Sequence, residues 1–555
     1  MNLTRTIAGL LLLYLSLMLF SCTMQKKPSR IADHVIIFGI DGLSPDGVQK
    51  AEAPHLQHFA QEGAYTWHAR AVMPSSSGAN WSSILNGTTV EQHGVFENSW
   101  TPDNLVLPPV AVNQQNTFPT IFAAIRKQLP DAETGAFFHW NPMENFVENS
   151  IISRLELPSD QFETIRLASS YMQEGKLVFT FIQLDQVDSA GHQFGHGSAE
   201  YYSAVAEADS LIGELYQSLR QGKLEKETVI IVTSDHGGIG YGHGGNSPQE
   251  MQVPFIVYGK GVKKGVRLKQ PVNAFDVPAT ALFALGLEVP FEWTGRPVRS
   301  AFQGNEHPDL MFQLNHLADA PEIMPGGDGF NPPGGLFIND SVEMKMANHS
   351  GSGEIRYTMD GSPPDSISAL YNGPVMINKT TVVMAQIFEN GEPISHLNRA
   401  YFRILQNPEK HGLETLIYEI GESNQLPDFS TLKSQSTGKS LEISSNELEL
   451  LRQKNVAATF EGYIKIDRAG EYRFSIASDD GSKLYINGSL LIDNDGDHGV
   501  IEKSGSLNLE VGFHQIRAEW FNGGGGYWLA AFIEGPGLSR QIIPAEMLYP
   551  ENEER

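Results

Sequence analysis

The sequence predicts an α/β sandwich built on a mainly parallel sheet, followed by two smaller β-sandwich modules. Three observations carry this. From about His34 to Phe302, apolar strand-like runs alternate with helix-like stretches, the pattern of a layered α/β domain. After Phe302 the helical spacing stops and short alternating runs take over. The length of 555 residues, at roughly 150 per domain, leaves room for three or four domains.

Composition narrows the function classes. Lys+Arg 39 against Asp+Glu 65 leaves a net charge of −26. So acidic a chain repels polyphosphate backbones, which excludes a nucleic-acid binder working through basic patches. With 41% hydrophobic and 10% aromatic residues there is ample material for packed cores, so wholesale disorder is excluded. Gly 54 and Pro 31 call for many turns and a large β component.

In chain order, residues 1–22 come first (MNLTRTIAGLLLLYLSLMLFSC). Arg5 precedes an apolar run from Ala8 to Phe20 that is short for a membrane span. Leu19-Phe20-Ser21-Cys22 resembles a bacterial lipoprotein box. That resemblance implies cleavage before Cys22, its lipidation, and a place in the bacterial cell envelope, periplasmic or on the outer-membrane surface. Cys22 is the only cysteine, so intrachain disulfides are excluded.

In the first domain, 34–305, the runs Val35–Ile40, Leu177–Leu184, Thr228–Thr233 and Val253–Tyr258 read as buried strands. Phe118–Leu129, Ala199–Arg220 and Ala79–Leu85 read as helices, and Asp276 as the cap of another. Residues 321–335 are Pro/Gly-rich and read as a linker or loop. Strands Gly353–Met359, Val375–Ile377 and Thr381–Phe388 belong to a module spanning 321–405. Strands Ala457–Ile466, Gly470–Ile476, Lys483–Ile486 and His514–Trp520 belong to a second module, 412–550.

Ligand-type residues concentrate in four segments of the first domain: Phe38 to Gly42 (FGIDG), Pro74 to Trp81 (PSSSGANW), Asp185 to His192 (DQVDSAGH) and Ser234 to Gly245 (SDHGGIGYGHGG). Asp41, Asp188 and Asp235 stand at or near the C-terminal ends of apolar runs, where open α/β sheets bind ligands. Asp188 and His192 are four apart, so one helical turn aims both at one ion. Carboxylate with imidazole suits zinc, with manganese or iron as alternatives.

On these residues the segment from 34 to about 302 resembles the alkaline phosphatase superfamily, in particular its type I phosphodiesterase/nucleotide pyrophosphatase branch. The resemblance implies two zinc ions beside a serine nucleophile. Asp41, Asp235 and His236 would hold one ion, with Ser77 bridging to it, and Asp188, His192 and His243 the other. The family's phosphate-contacting asparagine falls on Asn80. Ser75 and Ser76 remain alternatives to Ser77. The short stretch between His236 and His243 speaks against a nucleotide substrate. The lack of an arginine after Met73-Pro74-Ser75-Ser76-Ser77 speaks against a formylglycine sulfatase. His93 and Asp185 read as structural, His196 as a loop residue at the site rim, and His139-Trp140 as a possible pocket wall.

Tyr357 to Pro364 (YTMDGSPP), with Leu370-Tyr371 and Ile377, resembles the small C-terminal module of chitobiase/β-hexosaminidase enzymes. Phe460 to Tyr463 (FEGY), Ala469 to Phe474 (AGEYRF) and Ser478 to Gly488 (SDDGSKLYING) resemble the protective-antigen-type module. In that family Asp479 and Asp480 would hold calcium and coordinate a glycan. The run Asp493 to Asp497 is a further calcium candidate. The expectation is an exported, lipid-anchored phosphoric ester hydrolase, leaning to diesters because no arginine stands beside the nucleophile; only a distant one such as Arg126 could fold in. The alternatives are a phosphonate or sulfate ester hydrolase on this scaffold, or a non-catalytic glycan-binding lipoprotein.

Overall fold

The computed structural model describes residues 29–550, apart from 104, 114, 175–176, 313–317, 328–330, 350, 449–451 and 453. Cys22 lies outside the described residues.

The first domain is built on one sheet: β1 (His34–Ile40), β2 (Ala64–Arg70), β3 (Glu133–Phe138), β4 (Arg154–Glu156), β5 (Leu177–Leu184), β6 (Thr228–Thr233), β7 (Gln252–Gly259) and β8 (Val266–Arg267). Their order is β4-β3-β5-β1-β6-β7-β2-β8. β1, at the centre, pairs in parallel with both β5 and β6. Its residues are all buried because both faces are covered. Val35 and Ile37 point toward helices Ser77–Asn86, Ile121–Gln128 and Asp276–Ala284, and share a core with Phe179, Phe181, Val229 and Ile231. Ile36, Phe38 and Ile40 point toward helices Pro54–Glu62, Gln161–Glu174 and Ala199–Gln221. A strand apolar at every position is what a doubly covered sheet requires.

The expected strands and helices are found, with three corrections. β7 runs antiparallel to both β6 and β2. Between β6 and β7 the only helix is the short turn Pro248–Met251, so no crossover carries the chain to the far end of the sheet. The helix expected over Ala79–Leu85 begins earlier, at Ser77, with Ser76 as its N-cap. Asp276 is the first residue of its helix rather than the cap, and its carboxylate accepts from the Asn273 and Arg296 backbones, each at 2.8 Å.

The two remaining modules each pair two sheets around a separate core. In the first, Gly334–Ile338, Glu354–Thr358, Thr381–Glu389 and Asn398–Leu405 share one sheet. Glu322–Met324 pairs with Val342–Ala347 in the other, so part of the stretch read as a linker is a strand of this module. The second module surrounds Phe460, Phe474, Trp520 and Ile533. The modules meet through Val382 and Tyr401 on one side and Trp528, Ala530 and Phe532 on the other. Beside that apolar contact the buried Arg403 guanidinium pairs with the Glu442 carboxylate.

Removing one member of such a pair strands the other charge in a dry interface. Glu442→Ala should therefore lower stability by about 3–5 kcal/mol in denaturant unfolding of the two modules. A loss below about 1 kcal/mol would show that water reaches Arg403.

Candidate functional site

The parallel strands β1, β5 and β6 end side by side, and the candidate ligands follow their C-terminal ends. Asp41 follows β1, Asp188 sits on the helix Gln186–Phe194 after β5, and Asp235 and His236 follow β6. Among the described residues two groups bring three ligand-type atoms within 4.8 Å of one another. They are Asp41 with Asp235 and His236, and Asp188 with His192 and His243. These are the two sets expected from the sequence. The first is fully buried, whereas the His192 side chain is 49% exposed. The second set thus lies on the side where the site opens to solvent.

Two glycines make this convergence possible. A Cβ on Gly39 would stand 2.5 Å from the Trp81 ring, so only glycine lets the indole cross β1. Trp81 Nε1 then donates to Asp41 Oδ2 at 2.8 Å, and Gln183 Nε2 donates to the same oxygen at 3.2 Å. Gly42 adopts φ +69°, and a Cβ there would lie 2.8 Å from the Asp188 carboxylate. Trp81 and Gln183 were not singled out from the sequence. A glycine inside an otherwise apolar strand was the available sign of Trp81, because it marks a close approach.

Charge is crowded here. Asp41 Oδ1, Asp188 Oδ1 and Asp235 Oδ2 are buried without a hydrogen-bond donor. No lysine or arginine pairs with any of the three among the described residues. Burial, with Asp235 and Asp188 nearby, pushes the Asp41 carboxyl well above the usual carboxylate range. Burial and Asp188 push Asp235 up to about 8. Burial pulls His236 well below the ordinary imidazole value. Asp188 behaves differently: burial would raise it, but the His192 hydrogen bond and the neighbouring imidazoles outweigh that and hold it low. The same contact raises His192 to about 9. Buried carboxylate oxygens without donors, facing imidazole nitrogens, fit divalent cations.

The three serines separate cleanly. Ser75 Oγ donates to the Gly245 carbonyl at 2.7 Å and accepts from Gly244 N at 3.0 Å, tying this loop to the one bearing His243. Ser76 is the helix cap residue and its hydroxyl faces the Phe96 carbonyl at 3.4 Å. Ser77 Oγ lies 3.2 Å from His236 Nε2, beside the first ligand group.

Asn80 requires a correction. It is fully buried, its Oδ1 accepts from Val72 N at 2.6 Å, and its amide donates to the carbonyls of Val72, Pro74 and Ser76. Every polar atom is spent on shaping the serine loop, so nothing remains for a phosphate. Asn98, missed in the sequence, is the amide brought to the loop instead: its Oδ1 accepts from Gly78 N at 2.8 Å.

The other residues sort as follows. His93 is buried and bonded to Ser83 at 3.0 Å, a structural role as expected. Asp185 accepts from Ser189 Oγ at 2.9 Å, and His139 meets the Asp185 backbone at 3.3 Å. His196 is not at the rim; its side chain is 3% exposed and lies 3.7 Å from Asp188. Arg126 donates to the Ile151 carbonyl at 2.8 Å, away from the ligand groups. In the last module Asp480 is buried, with its two oxygens accepting from His498 N and Gly523 N. Asp480 is thus held by two backbone amides, with Asp479 half-buried beside it. In the run 493–497, Asn494 bonds to Ser478 and Asp495 to Lys483, as strand end and turn.

Comparisons with known proteins find matches to all three domains. Residues 35–241 match the family of type I phosphodiesterases/nucleotide pyrophosphatases. Residues 332–396 match the chitobiase/β-hexosaminidase C-terminal domain, and 409–539 the PA14 domain. The bis(5'-adenosyl)-triphosphatase ENPP4 of Pongo abelii is 26% identical over 38% of this chain and 49% of its own length. The GPI ethanolamine phosphate transferase 1 of Candida glabrata is 27% identical over 50% of this chain and 33% of its own. This chain thus spans about half the length of the first curated relatives it matches. Among solved structures, murine ectonucleotide pyrophosphatase/phosphodiesterase 5, as an inactive variant with AMP, aligns with TM-score 0.42 and 16% identity. That alignment covers 49% of this chain and 100% of the other.

The carboxylate crowding sets a pH dependence. In the metal-free fold Asp235 keeps a proton up to about pH 8 and His192 up to about 9, against 3.8 and 6.5 for the free side chains. The stability those protons confer is lost as pH rises through these values. A bound cation must displace them, so its stabilisation should grow as pH rises. The manganese- or zinc-induced rise in Tm should increase from pH 6 to pH 8. A rise that is constant or shrinks would contradict the protonation pattern.

Proposed function

We propose that this chain, whose N-terminal domain matches the type I phosphodiesterase/nucleotide pyrophosphatase family, hydrolyses phosphodiesters with two divalent ions and Ser77 as the nucleophile. The observation that carries the reading is the set of donorless buried oxygens on Asp41, Asp188 and Asp235, converging with three imidazoles beside one serine hydroxyl. Asp41, Asp235 and His236 would hold one ion, and Asp188, His192 and His243 the other, zinc by donor type. Bound there, the ions supply charge that favours the serine alkoxide and the departing oxygen.

The chain's own residues do the rest. Ser77, at the first turn of Ser77–Asn86, meets phosphorus where the helix N-terminus favours an anion. Its Oγ forms the new P–O bond as the alcohol leaves, and water later releases the phosphoryl group from Ser77. Asn80 fixes the loop that presents Ser77, and Asn98 carries an amide to the same place. A diester carries one negative charge, which suits a site where, among the described residues, no arginine or lysine pairs with the ligands.

The remaining assignments are proposals as well. Cys22 is the lipid attachment site, and the protein sits in the bacterial cell envelope. The PA14-like module holds glycan, with calcium at Asp479 and Asp480. Its supports are the family match and the crowding there: burial, Asp480 and Asp497 push Asp479 up to about 7.

Ser77→Ala should keep its metal yet lose at least about 10³-fold in kcat on bis(p-nitrophenyl) phosphate, because it deletes the attacking atom alone. Ser76→Ala should stay within a few-fold of the parent. An active Ser77→Ala would remove the serine from the mechanism. Separately, Cys22→Ser should move the protein from the membrane to the soluble fraction; full membrane retention would contradict the anchor.

A further inference from the structure

Where the first and last domains meet, the contact falls on the candidate site. Gly523–Gly526 is a run of four glycines following the strand Gly512–Asn522. Its start is pinned: Gly523 N donates to Asp480 Oδ2 at 2.9 Å, and Gly524 N to Asn522 Oδ1 at 3.2 Å. At its end, a Cβ on Gly526 would stand 2.8 Å from Tyr241 Cβ and 3.5 Å from the Asp479 carboxylate. Only a residue without a side chain can sit there. The backbone of the last module therefore lies directly on Tyr241, with Asp479 at the same spot.

Tyr241 belongs to the loop that presents the second ligand group. Its carbonyl lies 2.8 Å from His192 Nδ1, and His243 follows two residues later. That group is the solvent-facing one. The module thus touches the site on the side from which a substrate enters.

We infer that the last module forms one wall of the substrate site, and that Asp479 with the glycine run selects phosphodiesters bearing a hydroxyl-rich substituent. This rests on the phosphodiesterase reading and gives the module a role beyond attachment. The glycan and phosphoester sites become two subsites of one substrate. A carboxylate accepts from sugar hydroxyls, directly or through a bound cation, while the diester charge stays at the two ligand groups.

Two measurements on the full chain decide it. The first is the ratio of kcat/KM for the p-nitrophenyl diester of glucose 6-phosphate to that for bis(p-nitrophenyl) phosphate. Asp479→Ala should lower this ratio about tenfold, the scale of one lost charge-assisted hydrogen bond, with the change in KM. An unchanged ratio overturns the selection role. The second is hydroxyl-radical footprinting of Tyr241 in the parent and in Gly526→Leu, whose added side chain the contact with Tyr241 does not admit. Tyr241 oxidation should rise at least about threefold in the variant while the other tyrosines stay unchanged; an unchanged rate at Tyr241 would overturn the wall. If the parent hydrolyses neither diester, the phosphodiesterase reading has failed, and the Tyr241 footprint still decides the contact.

Discussion

Three buried carboxylates, Asp41, Asp188 and Asp235, are held together with no lysine or arginine among the described residues to balance them, and the rest of the first domain can be understood as the means of keeping them there. Left alone, such a cluster would shed charge by taking up protons, as the raised carboxyls of Asp41 and Asp235 show. A fold does not assemble it cheaply. Trp81 and Gln183 hold one oxygen of Asp41, and the Gly42 backbone accepts the approach of both Asp188 and Asp235. The three parallel strands that deliver these aspartates end at the same edge, where cations are the natural counter-charge.

Around that pocket, backbone contacts set the geometry. Ser75 ties the serine loop to the glycines after His243, and the His243 ring lies 2.8 Å from the Ser75 carbonyl. The Tyr241 carbonyl orients His192. The loop carrying the second ligand group is thereby braced by the serine loop on one side and by Gly526 of the last module on the other. Orientation of ligating imidazoles by carbonyls is the usual way a metal site is tuned. Here it also links the site to a separate domain.

Much of this was legible in the sequence, for a physical reason. Strands buried on both faces are apolar throughout, and ligand aspartates interrupt them at the strand end, so Asp41, Asp188 and Asp235 stand out from what precedes them. His192 follows Asp188 at helical spacing. What could not be read is where a polar side chain spends its hydrogen bonds. Asn80 looked free three residues after Ser77, yet the tight serine loop consumes its whole amide. Asn98 carried no local signal, because its role comes from a chain reversal that brings it back to Gly78. The direction of β7 was hidden likewise, since strand direction depends on a connection rather than on the strand. The surroundings of Asp480 were hidden too, because Gly523, which donates to its carboxylate, arrives from the end of a distant strand.

The central claim is that the buried carboxylates exist to hold two catalytic cations. The most direct measurement is elemental analysis of the purified full chain alongside its turnover of bis(p-nitrophenyl) phosphate, before and after exhaustive chelation. The account predicts close to two divalent transition-metal ions per chain, loss of turnover when they are removed, and its return on adding zinc or manganese. Undiminished turnover in a chain shown to be free of metal would contradict it.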